Sequence, residues 1–311
     1  MSMFRSVFSK GGVIAALAGG TAIYWGVNRG EPPATKPVTA ALTPPPVALS
    51  ADKWRSFKLV HKEALTKGVP SPTVLFRFAL PDQTMEAGLP VASCVLVRAP
   101  IGSSKPDGSN AFVIRPYTPI SGNHAKGHMD LAIKVYPDGK MSQHVDKLKV
   151  GDLLDFKGPI MKISLDDLSK KARLGLICGG SGLTPMIQVV EELYHQNKSI
   201  EVSMIYANVS EKDIIAKERL DALAKQNVTF NIHYAVDKSD SKDFEGSVGY
   251  IDRDLLAKQM PPPASDTLIL VCGPPGMMKS ISGDKLPDKS QGPLSGLLKD
   301  MGYTEQQVFK F

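Results

Sequence analysis

The chain has 311 residues, with 37 basic and 31 acidic side chains and a net charge of +6. That length suits about two domains, and 42% apolar with 22% charged residues excludes a mostly disordered chain. Three dispersed cysteines, Cys94, Cys178 and Cys272, show no C-x-x-C spacing, which argues against a disulfide scaffold, a zinc ribbon and a cysteine-ligated iron–sulfur cluster.

The N-terminus differs from everything after it. Arg5 and Lys10 precede an uncharged run from Gly11 to Asn28, closed by Arg29, and the first acid is Glu31. The run is about 18 residues long, near the lower limit for one membrane span, and Tyr24 and Trp25 at its end suit a lipid interface. A basic, acid-free start also fits an organellar address merging into an anchor. Residues 1–30 are therefore read as a targeting segment and membrane anchor, and 31–52 as a proline-rich, semi-rigid linker.

Residues 53–165 carry strand patterns: 73–80 (TVLFRFAL), 93–99 (SCVLVRA), 111–118 (AFVIRPYT) and 129–136 (MDLAIKVY), separated by Pro-Asp, Pro-Asp-Gly and Ser-Gly-Asn turn signals. Short strands at this spacing predict a small antiparallel β-barrel. From 166 to 311 the pattern changes. Strand signals at 173–178, 201–207, 228–236 and 267–273 alternate with helical ones at 184–197, near 213–226 and near 252–258. That alternation predicts βαβ units and an α/β doubly wound parallel sheet.

Charge is spread unevenly, at +3 over residues 1–50, +4 over 51–167 and −1 over 168–311. No basic cluster is interleaved with aromatics, so nucleic acid is not an expected partner. A mildly basic face for an acidic protein and a merely solvated surface are both compatible with the excess.

Five short motifs could carry chemistry. Gly179-Gly180-Ser181-Gly182 lies between a strand and a helix, where glycines admit a close pyrophosphate and helix N–H groups face it; a plain tight turn is the alternative. Cys272-Gly273-Pro274-Pro275-Gly276-Met277-Met278 closes a strand at the same sheet edge, where open α/β sheets bind ligands. There the alternative is a rigid turn with methionines as core filler. Arg115-Pro116-Tyr117-Thr118 ends a barrel strand and offers a phosphate-binding fork, a flat ring and a hydroxyl. Ile133-Lys134-Val135-Tyr136 and Gly139-Lys140-Met141-Ser142 follow, the last opening a short helix.

In this order the motifs, together with the aromatic end Val308-Phe309-Lys310-Phe311, resemble the ferredoxin-reductase-like flavoenzymes, and within them the NADH-cytochrome b5 reductase family, especially its plant and algal mitochondrial members. The resemblance runs from about Lys53 to Phe311. It implies FAD in the barrel and NADH in the α/β half. Arg115 and Ser142 would then hold the FAD pyrophosphate, beside Pro116, Gly139, Lys140 and Met141. Tyr117 would pack on the flavin and Thr118 would address its reactive nitrogen. Ile133, Lys134 and Tyr136 would line the flavin or the entering nicotinamide. Thr184 would close over the flavin from the second domain. Gly179, Gly180, Ser181 and Gly182 would admit the dinucleotide, with Cys272, Gly273, Pro274, Pro275 and Met277 near the nicotinamide and Phe311 at the chain end. Thr118, Lys134 and Cys272 are the candidate catalytic residues.

Asp237 resembles the acid that selects NADH, because a carboxylate accepts from a ribose 2′-hydroxyl and repels a 2′-phosphate; a helix-capping role is the alternative. Three features depart from the family pattern. Ser181 stands where threonine is frequent, Gly158-Pro159-Ile160-Met161 lacks a usual glycine, and His144 replaces a frequent aromatic residue and is read as structural. The resemblance implies hydride transfer to flavin and single electrons passed to a haem protein such as cytochrome b5, in a membrane-associated mitochondrial monomer, at the outer membrane or in the intermembrane space. The endoplasmic reticulum membrane is the alternative address. Two other functions fit less of the pattern: a related reductase feeding an oxygenase or nitrate-reducing partner, and a non-catalytic, membrane-tethered nucleotide-binding protein.

Overall fold

A computed structural model describes residues 46–102 and 111–311. The expected anchor at 1–30 and most of the linker lie outside the described residues. Among the described residues no helix is long and apolar enough to cross a membrane.

The first half is an antiparallel sheet. Its strands are β1 (Arg55–Ala64), β2 (Thr73–Ala79), β3 (Ser93–Pro100), β4 (Phe112–Tyr117), β5 (His128–Lys134) and β6 (Leu153–Met161). They are ordered β4-β3-β6-β1-β2-β5. All six curl around one core in which Phe76, Phe78 and Phe156 are fully buried, each worth about 2–3 kcal/mol of apolar burial. The edge strands β4 and β5 do not pair. Helix α1 (Lys140–Lys147) follows β5, packs against β4 and drives Met141 and Val145 into the barrel core. It therefore covers the seam.

β1 and β6 fall in the stretch whose pattern is all strand, though neither carries a run as clear as the other four. In β1 only Phe57 and Leu59 are buried, and β6 contains Pro159. The end of the presumed linker differs from expectation. Ala48 and Leu49 are buried in the barrel core, and their N–H groups donate to the carbonyls of Glu86 and Ala87 at 2.9 and 3.1 Å.

After the short helix α2 (Leu165–Ser169) the second half begins with β7 (Arg173–Gly179) and α3 (Leu183–His195). Next come β8 (Glu201–Asn208), α4 (Lys217–Gln226), β9 (Phe230–Val236), the two-residue β10 (Ser247–Val248) and α5 (Arg253–Gln259). The chain closes with β11 (Thr267–Cys272), α6 (Pro275–Ile281), α7 (Gly296–Asp300) and β12 (Val308–Lys310). The sheet is parallel throughout, in the order β10-β9-β8-β7-β11-β12. Two apolar clusters cover its faces. One is built on α3 and α4, the other on α5, α6 and α7. The first also takes in Val91, Ala92, Ile120 and Ala132 from the barrel half, so the two halves share a core.

Helix α4 starts later than the sequence pattern indicates, because Ala216 adopts a left-handed φ of 54° and a 3-10 turn occupies 211–213. The last strand is pinned from within. Lys310 is 2% exposed, and its ammonium donates to the carbonyls of Asp284, Gly292 and Pro293 at 3.1, 3.3 and 3.1 Å.

Candidate functional site

Parallel strands β7, β8, β9 and β11 all end at one edge of their sheet, and the loops that leave them form one wall of a cleft of about 820 Å³. Gly179, Gly180, Asn208, Asp213, Asp237, Pro274, Gly276 and Met277 belong to this wall; Lys134 and Tyr136 at the end of β5 form the facing wall. Motifs far apart in the sequence thus meet around one volume.

The glycine turn is shaped by close packing on one side and open space on the other. A Cβ on Gly182 would stand 2.3 Å from the Cys272 carbonyl oxygen, so the two loops touch through backbone. Gly180 has φ +54°, and a Cβ there, like one on Gly276, would meet nothing within 4 Å. Both open positions line the cleft. Side chains there would fill it, which is the form a dinucleotide cradle takes. The first turn of α3 carries no acid to oppose an anion. The glycine turn also packs on β5. Ser181 is half-buried, and its carbonyl accepts from the Thr184 hydroxyl at 3.2 Å; Thr184 is buried at the start of α3 and does not line the cleft.

Burial keeps the two thiols at this edge protonated. Cys272 pairs in register with Cys178 on the neighbouring strand; burial pushes the Cys272 thiol up to about 12 and Cys178 well above its ordinary value. Cys272 is absent from the cleft wall and shapes it through its carbonyl, while Pro274 and Met277 line it. Gly273 packs against Met277, and Pro275 opens α6. Met278 is core filler.

At the barrel side, Arg115 and Tyr117 share one face of β4 by strand periodicity. Arg115 is exposed, donates only to the Ile114 carbonyl at 2.8 Å, and has no carboxylate partner among the described residues. Burial pushes the Tyr117 phenol up to about 12 against the lowering effect of Arg115, so it stays a neutral hydroxyl. Pro116 is exposed and Thr118 half-buried beyond it.

α1 lies against this strand with no capping side chain and no acid in its first turn. The N–H groups of Lys140, Met141 and Ser142 therefore have no intrahelical acceptor. The Ser142 hydroxyl is committed locally: it accepts from the Tyr136 N–H at 3.2 Å and donates to the Gly139 carbonyl at 3.1 Å. A Cβ on Gly139 would collide with it. A cationic fork, a neutral phenol and a free helix N-terminus on one surface fit a diphosphate-bearing flavin. The side chains of Ile133 and Met141, both 2% exposed, belong to the barrel core and cannot contact a ligand.

Lys134 lines the cleft and also forms an ion pair there. Its ammonium donates to Asp213 Oδ1 at 2.8 Å, and the two side chains are only 11% and 4% exposed. Asp237 sits at the cleft mouth just past β9, with its N–H donating to the Asn208 carbonyl at 3.0 Å. Partial burial and the nearby Asp213 carboxylate raise its pKa above the usual aspartate range. It caps no helix, which removes that alternative. Phe311 closes the sheet edge, its N–H donating to the Val271 carbonyl at 3.0 Å and its ring edge-on to Phe309. Sequence reading missed Asn208, Asp213 and Tyr250 of the cleft wall. Asn208 ends a strand at the edge that the glycine turn marks, so the rule of strand carboxyl ends could have found it. No local signal exposes Asp213, whose partner is 79 residues away.

Comparison with known proteins agrees with this geometry. The profile described as Oxidoreductase FAD-binding domain matches residues 56–165, and the one described as Oxidoreductase NAD-binding domain matches residues 176–283. An NADH-cytochrome b5 reductase-like protein of Arabidopsis thaliana is 49% identical over 301 residues, covering 96% of this chain and 89% of the relative. NADH-cytochrome b5 reductase 2 of Candida albicans is 40% identical over 263 residues, covering 84% of each. The crystal structure of the cytochrome b5 reductase domain of Ulva prolifera nitrate reductase superposes with a TM-score of 0.68 at 30% identity, over 85% of this chain and 99% of that one. An antiparallel FAD-binding sheet followed by a parallel NAD-binding sheet, and relatives that match almost end to end, establish that the chain belongs to the NADH-cytochrome b5 reductase family, as an NADH-dependent flavoprotein oxidoreductase with FAD as its cofactor.

Proposed function

We propose that this protein takes hydride from NADH bound in the cleft and passes single electrons to a haem protein of the cytochrome b5 type. The convergence of Gly180, Gly276 and Asp237 with the end of β5 around one open volume carries this reading. Bound FAD would supply a ring that accepts one hydride and releases its two electrons one at a time.

The chain's own residues bind and orient. The Arg115 fork and the α1 N–H groups at Lys140, Met141 and Ser142 hold the flavin diphosphate, while Gly139 and the Ser142 hydroxyl keep that turn in shape. Tyr117 and Thr118 lie beside the ring, Tyr117 as a neutral hydrogen-bonding phenol. The open faces at Gly180 and Gly276 admit the dinucleotide backbone beside the packed Gly179, and Asp237 accepts from the adenosine ribose hydroxyls. Ser181, Thr184 and the Cys272–Gly273 backbone hold the two α/β loops at their spacing.

The acceptor, the anchor and the location extend this reading. The charge excess before residue 168 favours an acidic haem partner on the barrel side. The basic, acid-free residues 1–30 favour an anchored protein with a mitochondrial address. The purified protein should be yellow, and NADH should bleach it anaerobically much faster than NADPH does. Reduction of cytochrome b5 should slow as salt rises. A colourless protein that stays so with added FAD would overturn the reading; rapid bleaching with no transfer to cytochrome b5 would overturn the acceptor alone.

A further inference from the structure

We propose that the outer wall of the barrel, across β4, β3, β6 and β1, lies against an anionic membrane surface and seats the body of the protein on lipid through its own residues, independently of residues 1–30.

Strand register builds this wall. Arg98 stands opposite Ile114 on one side and Asp155 on the other, and Asp155 stands opposite Ser56. Two residues along each strand, Phe112 stands opposite Pro100 and Leu153 opposite Lys58. The pleat turns all of these away from the core, where Val97, Phe156 and Phe57 point. An antiparallel face open to water ordinarily carries polar side chains. Here Phe112, Ile114 and Leu153 are 46%, 44% and 62% exposed, and Val60 and Val150 continue the strip beyond Lys58 and Leu153. Scattered apolar residues need no explanation, whereas a contiguous patch marks a contact. None of these residues lines the cleft.

Charge decides what covers the wall. The carboxylate in these rows is already occupied: Asp155 Oδ1 accepts from the Ser56 hydroxyl at 2.6 Å and Oδ2 from Arg98 Nε at 2.9 Å. Lys58 is exposed, Lys157 on the same face is half-buried, and neither has a carboxylate partner among the described residues. The Arg98 guanidinium lies between the rings of Trp54, at 4.4 Å, and Phe112, at 4.8 Å. Rings and long cationic stems around an apolar strip suit the headgroup layer of a bilayer, where indoles settle and ammonium groups reach phosphates. Each lysine there adds an attraction to anionic lipid that salt screens. The wall is the outside of a curled sheet and therefore convex. It offers no groove for a peptide or an anchoring side chain, and a bilayer surface requires none.

The chain has two tryptophans, Trp25 and Trp54, so Trp25→Phe leaves the indole on this wall as the sole reporter. The full chain, loaded with FAD, is mixed in that background with phosphatidylcholine vesicles, with or without phosphatidylserine, and with plain or brominated acyl chains. Bromine quenches an indole that reaches the lipid. Trp54 emission should fall on brominated vesicles containing phosphatidylserine and recover as salt rises. Val150→Ser with Leu153→Ser removes two side chains that belong to no core cluster, and should raise the lipid concentration for half-quenching about fivefold or more. Lys58→Ser should raise it about fivefold on the anionic vesicles. Melting temperature and lipid-free bleaching by NADH should match the parent in both variants.

Cosedimentation with vesicles while Trp54 emission stays unchanged would overturn the proposal, because the contact would then lie elsewhere in the chain. Quenching that survives all three substitutions, or no vesicle binding at all, would overturn it too. Slower cytochrome b5 reduction by the variants in lipid-free solution, with NADH bleaching intact, would make the wall a protein-docking face instead.

Discussion

Gly276→Ala separates stability from substrate binding, because the two should move in opposite directions. Gly276 lies in α6 without a left-handed φ, and a Cβ there meets no atom within 4 Å. Alanine at such a position narrows the unfolded ensemble and stabilises by about 0.4–1 kcal/mol, a rise in Tm of roughly 1–4 °C for a chain of this size. The same methyl stands in the cleft against whatever lies over α6. Crowding a fitted ligand by one methyl costs about 1–3 kcal/mol, which is roughly a fivefold to hundredfold rise in KM for NADH; Gly276→Val should exceed it. Gly180→Ala is a poorer probe, because its φ of +54° adds about 1–2 kcal/mol of backbone strain. The assay is steady-state NADH oxidation with a small artificial oxidant, which leaves protein docking out, alongside thermal melting. A normal KM in both Gly276 variants, with the expected rise in Tm, would show that nothing binds over α6 and would refute the cradle.

Three further substitutions probe separate parts of the molecule. Asp237→Ala should erode the preference for NADH over NADPH. Because burial and Asp213 raise the Asp237 pKa, KM for NADH in the unaltered protein should climb on acidification from a pH above the ordinary aspartate range, and the alanine variant should be flat there. The linkage sign for stability is the reverse: a raised carboxyl favours the fold below its unfolded pKa, and that contribution disappears as pH rises through the folded value. Arg115→Leu should weaken FAD retention by about 1.5–3 kcal/mol, the worth of a charge-assisted hydrogen bond, read as flavin loss on dilution. Lys310→Met should leave three carbonyls without their donor and cost about 3 kcal/mol or more, read by urea unfolding, with KM for NADH unchanged.

The parts of this molecule that the sequence exposes are those where local pattern and tertiary position coincide. β2, β3, β7, β8 and β11 carry runs of apolar residues because they are buried on one or both faces, and their observed ends fall within a residue or two of the pattern. β1 is less distinct within the strand-patterned stretch, since it buries Phe57 and Leu59 alone. β12 is three residues long and held by Lys310, a residue whose burial no propensity scale would foresee. The glycine turn and the Cys272 loop are legible because close backbone approach demands residues of a particular kind: a Cβ on Gly182 would stand 2.3 Å from the Cys272 carbonyl oxygen. Roles assigned to single side chains fared differently. Ile133 and Met141 face the core and the Ser142 hydroxyl is tied into its own turn, because strand and helix phase decide where a side chain goes and a motif does not record phase.

The ionisable groups around the site point to a common design. Tyr117 and Cys272 are pushed up to about 12, burial raises Cys178 well above its ordinary value, and burial with neighbouring Lys147 lowers His144, leaving these groups neutral near pH 7. A site whose neutral groups are locked that way offers few proton donors to tune, and it contributes by holding surfaces at fixed separations. Substitutions should then damage turnover in proportion to the atoms they displace, with little dependence on the acidity of the residue introduced. Gly182→Ala, which forces backbone apart, should cost more than Cys272→Ser, which removes a thiol but keeps the carbonyl on which the neighbouring turn rests. The opposite order would mean that the thiol itself takes part, and that a protonated sulfur at the end of β11 does more than fill space.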